Sequence, residues 1–357
     1  MIKYLGSKRL LLDQITAIVR GVPEASTVVD LFSGTSRVGH ALKRSGFRVL
    51  ANDYAAYAHA LATCYVQADA DEWQSEATSL LDELQRLPGS PGYFTKTFCE
   101  EARFFTPENG AKIDAIRSSI EERQLPPELK AIALVALMEA ADRVDSTTGV
   151  QMAYLKQWAP RAANPLALRL PALLPRARHG KGQSFMLDAV AAAGRLGGDV
   201  AYLDPPYNQH SYLGNYHIWE TLVRWDAPTP YGIARKREDT RARASIFNSR
   251  PRHAEAMRQV IEQLDARALV VSFSNEGYLD RDELIRMLAR RGEVMVLEHD
   301  FKRYVGAQIG VFNPQGERVG KVSHLRNTEY IFVAGSAALL ERLGNSIEST
   351  TAQTSLL

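Results

Sequence analysis

The stretch TVVDLFSGTSRVGH, residues 27–40, constrains this chain more than any other. A β-branched run passes through a Ser-Gly-Thr turn into a helical spacing of apolar residues that continues through Leu42, so it reads as strand, loop, helix. A second apolar run, residues 47–51, ends at Asn52-Asp53, and AAYAHALATCYV after it is helical again. Two such units in succession are the opening βαβα of a doubly wound, Rossmann-like α/β sheet. The same grammar returns later, with strands predicted over residues 200–203, 268–273, 294–299 and 329–334 and helices over 254–264 and 280–289.

Residues 66–182 have a different character. EATSLLDELQRL and ELKAIALVALMEAADRV read as amphipathic helices, separated by the joints LPGSPGY and LPP. A mostly helical inserted domain is expected there, closed by the extended connector APRAANPLALRLPALLPRARHGKG. The plan is a discontinuous sheet domain from residues 1–65 and 183–340, the insertion over 66–182, and a loose polar tail over 345–357.

With 357 residues and 45% hydrophobic content, the chain can bury a full-sized core. Lys and Arg number 43 against 41 Asp and Glu, so bulk charge does not announce a polyanion partner, and any nucleic-acid face must come from local clustering. Cys64 and Cys99 sit in no CxxC or Cys/His pattern, so neither a disulfide framework nor a metal site is expected. The N-terminal MIKYLGSKRLLLDQI has no uninterrupted apolar core, and no stretch approaches the ~18 apolar residues of a membrane span. The expectation is a cytoplasmic chain.

In an open α/β sheet, ligands collect outside the carboxyl ends of the strands. Asp30-Leu31-Phe32-Ser33-Gly34-Thr35 is the first such turn, with Asp30, Phe32 and Gly34 as candidate ligand contacts. No second glycine stands two residues from Gly34, so a pyrophosphate cradle is absent. Asp53 follows the second strand and suits a carboxylate accepting from ribose hydroxyls. Adenosine-bearing ligands fit, S-adenosylmethionine among them. A ligand-free tight turn at Gly34 and a helix cap at Asp53 are the competing readings. Asp188, in SFMLDAV, either accepts from the ligand's adenine amine or caps a helix.

AYLDPPY, residues 201–207, puts an acid, two prolines and an aromatic directly after an apolar strand. Both prolines lack the N–H that a ladder requires, so the strand must stop in a rigid turn. Asp204 then offers carboxylate oxygens, Pro205 a backbone carbonyl held in place by Pro206, and Tyr207 a flat face. Those parts answer one chemical problem. The lone pair of an exocyclic amine is delocalised into its base, and two acceptors on its two N–H groups favour a pyramidal nitrogen whose lone pair can attack a methyl group. Positioning and electrostatic stabilisation would do the rest, without a metal or covalent intermediate. An ordinary proline turn is the competing reading.

The blocks KYLGSKRLLLDQI, VVDLFSGTSRVG, ANDY and YLDPPYNQHSYLGNYHIWETLVRWD, in that order, resemble the Dam-like, D12 class of N6-adenine DNA methyltransferases. The resemblance covers about residues 1–65 and 183–335 and leaves the insertion unmatched. It implies S-adenosylmethionine as cofactor, duplex DNA as partner, a flipped adenine stacked on Tyr207, target recognition in the insertion, and a separate restriction endonuclease as a companion to look for. It also implies that Tyr4, Gly6 and Lys8 join the cofactor pocket, although the family's first block has a Trp and paired glycines where this chain has Tyr4 and Gly6-Ser7. Ser274 and Asn275 resemble a later family block that lines the target-base pocket, with a capped turn as the competing reading.

The DNA face is expected in the basic run RKREDTRARASIFNSRPR, where Arg235, Lys236, Arg237, Arg241 and Arg243 stand against Glu238 and Asp239. A second set, Lys302, Arg303, Arg318, Lys321, His324 and Arg326, surrounds a predicted hairpin turning at Asn313-Pro314-Gln315-Gly316. A solvated charged face is the competing reading for both. Trp219 and Leu222, at helical spacing, read as core. Two other functions share these motifs: methylation of RNA or protein amides, and a catalytically silent nucleic-acid-binding module.

Overall fold

The short β-branched runs become strands of one sheet in the computed structural model, which describes residues 1–6, 8–302, 311–312, 318–320 and 326–354. The chain opens with α1 (Leu12–Gly21), β1 (Thr27–Asp30), α2 (Arg37–Arg44), β2 (Arg48–Asn52) and α3 (Ala56–Ala62). The insertion contributes α4 (Ala70–Arg86), the single turn α5 (Tyr93–Thr95), α6 (Pro107–Glu122) and α7 (Pro127–Val144). The second α/β block runs through β3 (Gln183–Phe185), α8 (Ala189–Ala193), β4 (Gly197–Leu203), α9 (Tyr212–Asn215) and α10 (His217–Arg224). It continues with a small hairpin of β5 (Pro230–Tyr231) and β6 (Lys236–Arg237), then α11 (Arg250–Gln263), β7 (Asp265–Ser274) and α12 (Arg281–Leu288). The chain closes with β8 (Glu293–Lys302), a second pair β9 (Val311–Phe312) and β10 (Arg318–Gly320), β11 (Arg326–Gly335) and α13 (Ala337–Thr354).

Seven strands lie in the order β3-β2-β1-β4-β7-β11-β8. Pairing is parallel from β3 to β7, and β11 runs antiparallel to both of its neighbours. Successive residues of the central strands go to opposite layers, as a pleated strand requires. Val28, Val200 and Val270 pack with α1, α2 and α13, whereas Val29, Ala201 and Val271 pack with α8, α11 and α12. A doubly wound sheet results, and the strand order reverses between β1 and β4.

The insertion adds a third apolar cluster in which it is not self-contained. Leu81, Phe94, Ile116 and Leu137 share it with Tyr57 and Leu61 of α3 and with Trp219 and Leu222 of α10, which are core as the sequence predicts. The sequence reading of α7 as amphipathic is corrected here. Ile132, Leu134, Val135, Leu137 and Met138 are all at most 4% exposed, so the helix is wrapped on every side and needs no polar face. At the junction, Lys43 of α2 pairs with Asp69 at 2.8 Å, both fully buried, and Arg176 from the connector reaches the same carboxylate at 2.8 Å. Three distant segments are thereby tied at the root of the insertion.

The polar tail expected from residue 345 is also corrected: α13 continues to Thr354. Leu339, Leu340 and Leu343 anchor its first turns against the sheet, and once a helix is nucleated each added residue needs little further favour. β9 and β10 pair antiparallel as the predicted hairpin requires, while residues 313–316 lie outside the described ones.

Candidate active site

The switch point between β1 and β4 is where an open α/β sheet leaves a crevice. Asp30 is the last residue of β1 and pairs in register with Tyr202 of β4, two residues before Asp204. Pro205-Pro206 end β4 at Leu203, so the Asp204 carboxylate leaves the sheet beside that of Asp30. Both line one cleft of about 300 Å³, together with Tyr4, Gly6 and Lys8, the Gly34 turn, Asp53, Asp188 and residues 243–246.

The glycine turn is held from several sides. Gly34 has φ +50°, and the Tyr4 ring lies 3.6 Å from where a Cβ would stand. Asn52, 1% exposed, accepts from Ser33 N through its carbonyl and from Leu187 N through its side chain, and donates to Leu31 O and Leu187 O. It therefore joins the loops that follow β1 and β3. Asp53 accepts from Gly34 N at 3.0 Å and from Ala55 N at 3.0 Å; it makes a turn ahead of α3, whose N-cap is Ala55, so its carboxylate ties the glycine turn to the second strand's end and does not cap the helix. Burial pushes its carboxyl up to about 6. Asp188 caps α8 through Val190 N at 3.0 Å and still lines the cleft. Phe32 meets Phe247 edge-on at 5.0 Å.

Asp30 is 1% exposed; its Oδ2 accepts from Ser33 Oγ at 3.0 Å, and its Oδ1 is a buried oxygen with no hydrogen-bond partner. Burial raises its carboxyl to about 7. An orphaned carboxylate oxygen in a cleft with three further aspartates fits a cationic ligand. No pyrophosphate cradle accompanies it, and the donor set therefore suits the ammonium and sulfonium of S-adenosylmethionine better than a dinucleotide.

The first block is docked by aromatic rings. Tyr4 stacks on Tyr212 at 5.1 Å and on Tyr216 at 4.5 Å, and Leu5 N donates to the Tyr216 hydroxyl at 2.7 Å. Gly6 has φ +72°, and the Tyr212 hydroxyl lies 2.9 Å from a would-be Cβ, so only glycine fits beneath it. This placement carries Lys8 past the Gly34 turn to the turn that follows β4. Its Nζ lies 3.3 Å from Asp204 Oδ1, 3.0 Å from Glu329 Oε2 and 6.0 Å from the centre of the Tyr207 ring. Lys8 is 6% exposed; burial works against its charge, but the two carboxylates outweigh that and hold its pKa above the ordinary lysine value. Asp204 is pushed up to about 6 by burial, against the pull of Lys8. Tyr207 leans on Phe273 at 5.8 Å. Sequence reasoning misses Glu329: it is one acid in a strand of mixed pattern, and only its register beside Ser274 of β7 gives it away.

The basic run divides. Arg237 is 2% exposed and forks onto both oxygens of Asp226 at 2.6 and 2.7 Å, with Asp239 on its Nε at 3.0 Å. Its assignment to DNA is therefore corrected: the fork is spent on carboxylates. Arg243 pairs with the fully buried Glu220 at 2.7 Å and lines the cleft, which ties it to the wall of the pocket. Arg235 is engaged by Glu101. Arg241 is exposed over the Tyr231 ring at 5.2 Å, and Lys236 is half-buried on the same hairpin. Lys302 closes β8, while Arg303, Lys321 and His324 lie outside the described residues. Ser274 Oγ accepts from Glu276 N, and Asn275 exchanges hydrogen bonds with Thr328, the geometry of a capped turn.

Residues 4–283 match the family model of the D12 class N6 adenine-specific DNA methyltransferases. The chain is 31% identical over 315 residues to the type II methyltransferase M.NlaIII of Neisseria lactamica, covering 84% of this chain and 92% of that protein. It is 30% identical over 309 residues to the type II methyltransferase M.FokI of Planomicrobium okeanokoites, and 29% identical over 302 residues to the modification methylase StsI of Streptococcus sanguinis. Those two alignments cover 81% and 80% of this chain but 47% and 46% of the relatives, so the chain spans about half of their length.

Proposed function

This chain belongs to the D12 class N6 adenine-specific DNA methyltransferase family, and we propose that it methylates a flipped adenine at a specific site in duplex DNA, with S-adenosylmethionine as donor. The observation that carries the cofactor and the chemistry is one cleft shared by the orphaned Asp30 carboxylate and by Asp204 across the switch point. Asp30 would hold the ligand's ammonium, Asp53 its ribose hydroxyls and Asp188 its adenine amine. When bound, the cofactor supplies an electrophilic methyl group on sulfur.

The protein's own part is positioning. Asp204 and the Pro205 carbonyl accept the two N–H bonds of the target amine, which favours a pyramidal nitrogen and stabilises the positive charge that develops on it. Tyr207 stacks on the extruded base, a contact worth on the order of 1–3 kcal/mol against an unstacking cost of a few kcal/mol. The helical insertion, joined to α3 and α10 through a common apolar cluster, carries target recognition. Among the described residues no helix is long and apolar enough to cross a membrane, and we place the protein in the cytoplasm with its DNA. The relatives' names, type II methyltransferase and modification methylase, support a cognate restriction endonuclease as its companion.

Labelled S-adenosylmethionine offered with duplex DNA, structured RNA and a protein extract tests this directly. Label should enter DNA adenine alone, and Asp204→Ala should abolish transfer while cofactor affinity stays within a few-fold of the native value. Label confined to RNA or protein would overturn the substrate, and transfer surviving in Asp204→Ala would overturn the mechanism.

A further inference from the structure

Lys8 and Glu329 have no place in the chemistry of the target amine, yet both are built into the catalytic end of the cleft. Lys8 stands between two carboxylates, 3.3 Å from Asp204 and 3.0 Å from Glu329. The side chains of all three are at most 21% exposed, where an unpaired charge is costly to keep. Glu329 lies on β11, between β7 and β8, and beyond the residues that the family model matches.

We propose that Glu329 is a positioning residue for methyl transfer: it holds Lys8 against Asp204 and leaves the buried triad with one net negative charge facing the target amine. The proposal rests on the function proposed above. The charge count gives the reason. Lys8 and Asp204 alone would present a neutral pair to a nitrogen that becomes positive as it is methylated, and the cation would oppose that change. Glu329 cancels the cation and restores a net negative charge next to the reacting centre. Lys8 in turn keeps Asp204 ionised, and so able to accept an N–H, in a site where burial favours the protonated acid.

The other groups that face Asp204 are Asp30 on β1, Tyr202 on β4, Tyr207 after it and Tyr212 on α9. The tyrosines carry raised pKa values and stay neutral through the working range, and Asp30 is a common background to every variant. Glu329 and Lys8 therefore push the Asp204 titration in opposite directions, which gives a signature that a purely structural role lacks.

The test is the acid limb of the turnover–pH profile on duplex DNA for the native chain, Glu329→Gln and Lys8→Gln, with Glu329→Asp and Lys8→Arg as conservative rescues. Loss of Glu329 removes a like charge, so the limb should move to lower pH by about 0.5–1 unit, with plateau turnover down about tenfold. Loss of Lys8 removes an opposite charge, so the limb should move to higher pH. The rescues should restore the native limb. Carboxyl ¹³C NMR of the same variants, with Asp204→Asn to assign the resonance, reads the Asp204 titration without turnover and should show the same opposed shifts. Shifts of one sign in both variants, or none in either method, would overturn the triad. A native chain that does not methylate DNA overturns the function instead, while the NMR titration still decides the triad.

Discussion

Asp30 is the residue at which binding and protonation meet. Its carboxyl sits near 7 in the free chain because burial disfavours the charge and the Asp204 and Asp53 carboxylates repel it, and its Oδ1 has no partner. In the proposed complex a ligand ammonium would supply that partner and favour the ionised form. Binding should therefore release a proton near neutral pH, and affinity should rise with pH until about 7 and then level off. Calorimetry in buffers of different ionisation enthalpy reads the proton count, and Asp30→Asn should lose both the release and the pH dependence. A native chain that binds S-adenosylmethionine equally at about pH 6 and about pH 8 would sink this assignment. Asp30, Asp53 and Asp204 can be picked from the sequence because each closes or directly follows an apolar strand, where local pattern already fixes the edge of the sheet. Lys8 is legible as a site residue but not with its true neighbours. Its meeting with Glu329, 321 residues away, depends on the Tyr4–Tyr212–Tyr216 stack folding the first block over the switch point, and no local spacing encodes that.

At the scale of elements, the end of the sheet opposite the cleft is fastened by Asp199 of β4. Its Oδ2 accepts from Ser26 N at 2.8 Å, Ser26 Oγ at 3.0 Å and Thr27 N at 3.0 Å, and its Oδ1 accepts from Arg267 Nη2 at 2.8 Å. One carboxylate thus fixes the start of β1 to β4 and β7, the three strands that set the cleft. Burial alone would raise its pKa, but these hydrogen bonds prevail and hold it at about 2. A folded pKa below the unfolded value of about 3.9 stabilises the fold at pH above ~4, and the contribution fades as pH falls through about 2. Asp199→Asn should cost about 1 kcal/mol in urea unfolding at about pH 7, the solvent around the carboxylate screening part of the shift, with the gap to the native chain constant down to about pH 5 and closing toward about pH 2. A gap that persists undiminished at the acid end would remove the carboxylate from this role. Strand positions are legible in the sequence because period-two burial and β-branching coincide, but this clamp is not, since it needs the parallel register of β1 with β4. For the same reason α7 reads wrongly from its sequence alone: its Ala and Leu spacing is compatible with a half-exposed helix until α3, α4 and α6 surround it.

Over the whole molecule, near-neutral net charge means that attraction to DNA must be organised by place. The run from Arg235 to Arg252 looks uniform in sequence, yet folding sorts it into three roles. Arg237 is locked onto Asp226 and Asp239, Arg243 closes the cleft through Glu220, and Arg241, Arg250 and Arg252 remain exposed. Sequence shows the clustering but not this sorting, because the neutralising acids Glu220 and Asp226 come from α10 and the turn after it. The members outside those ion pairs, the half-buried Lys236 among them, can shed counterions from a phosphate backbone. Replacing Arg241 and Lys236 together should weaken binding alike for specific and unrelated duplexes. It should also flatten the plot of log affinity against log salt, by about one unit of slope for each phosphate no longer neutralised. Arg243→Ala should leave that slope intact and weaken cofactor binding instead, because its guanidinium faces the cleft and is already paired. Fluorescence anisotropy across a salt series separates the two effects. If Arg243→Ala flattens the slope as much as the Arg241 and Lys236 pair does, the basic run acts as a single DNA face, and the division imposed by Glu220 and Asp226 has no bearing on binding.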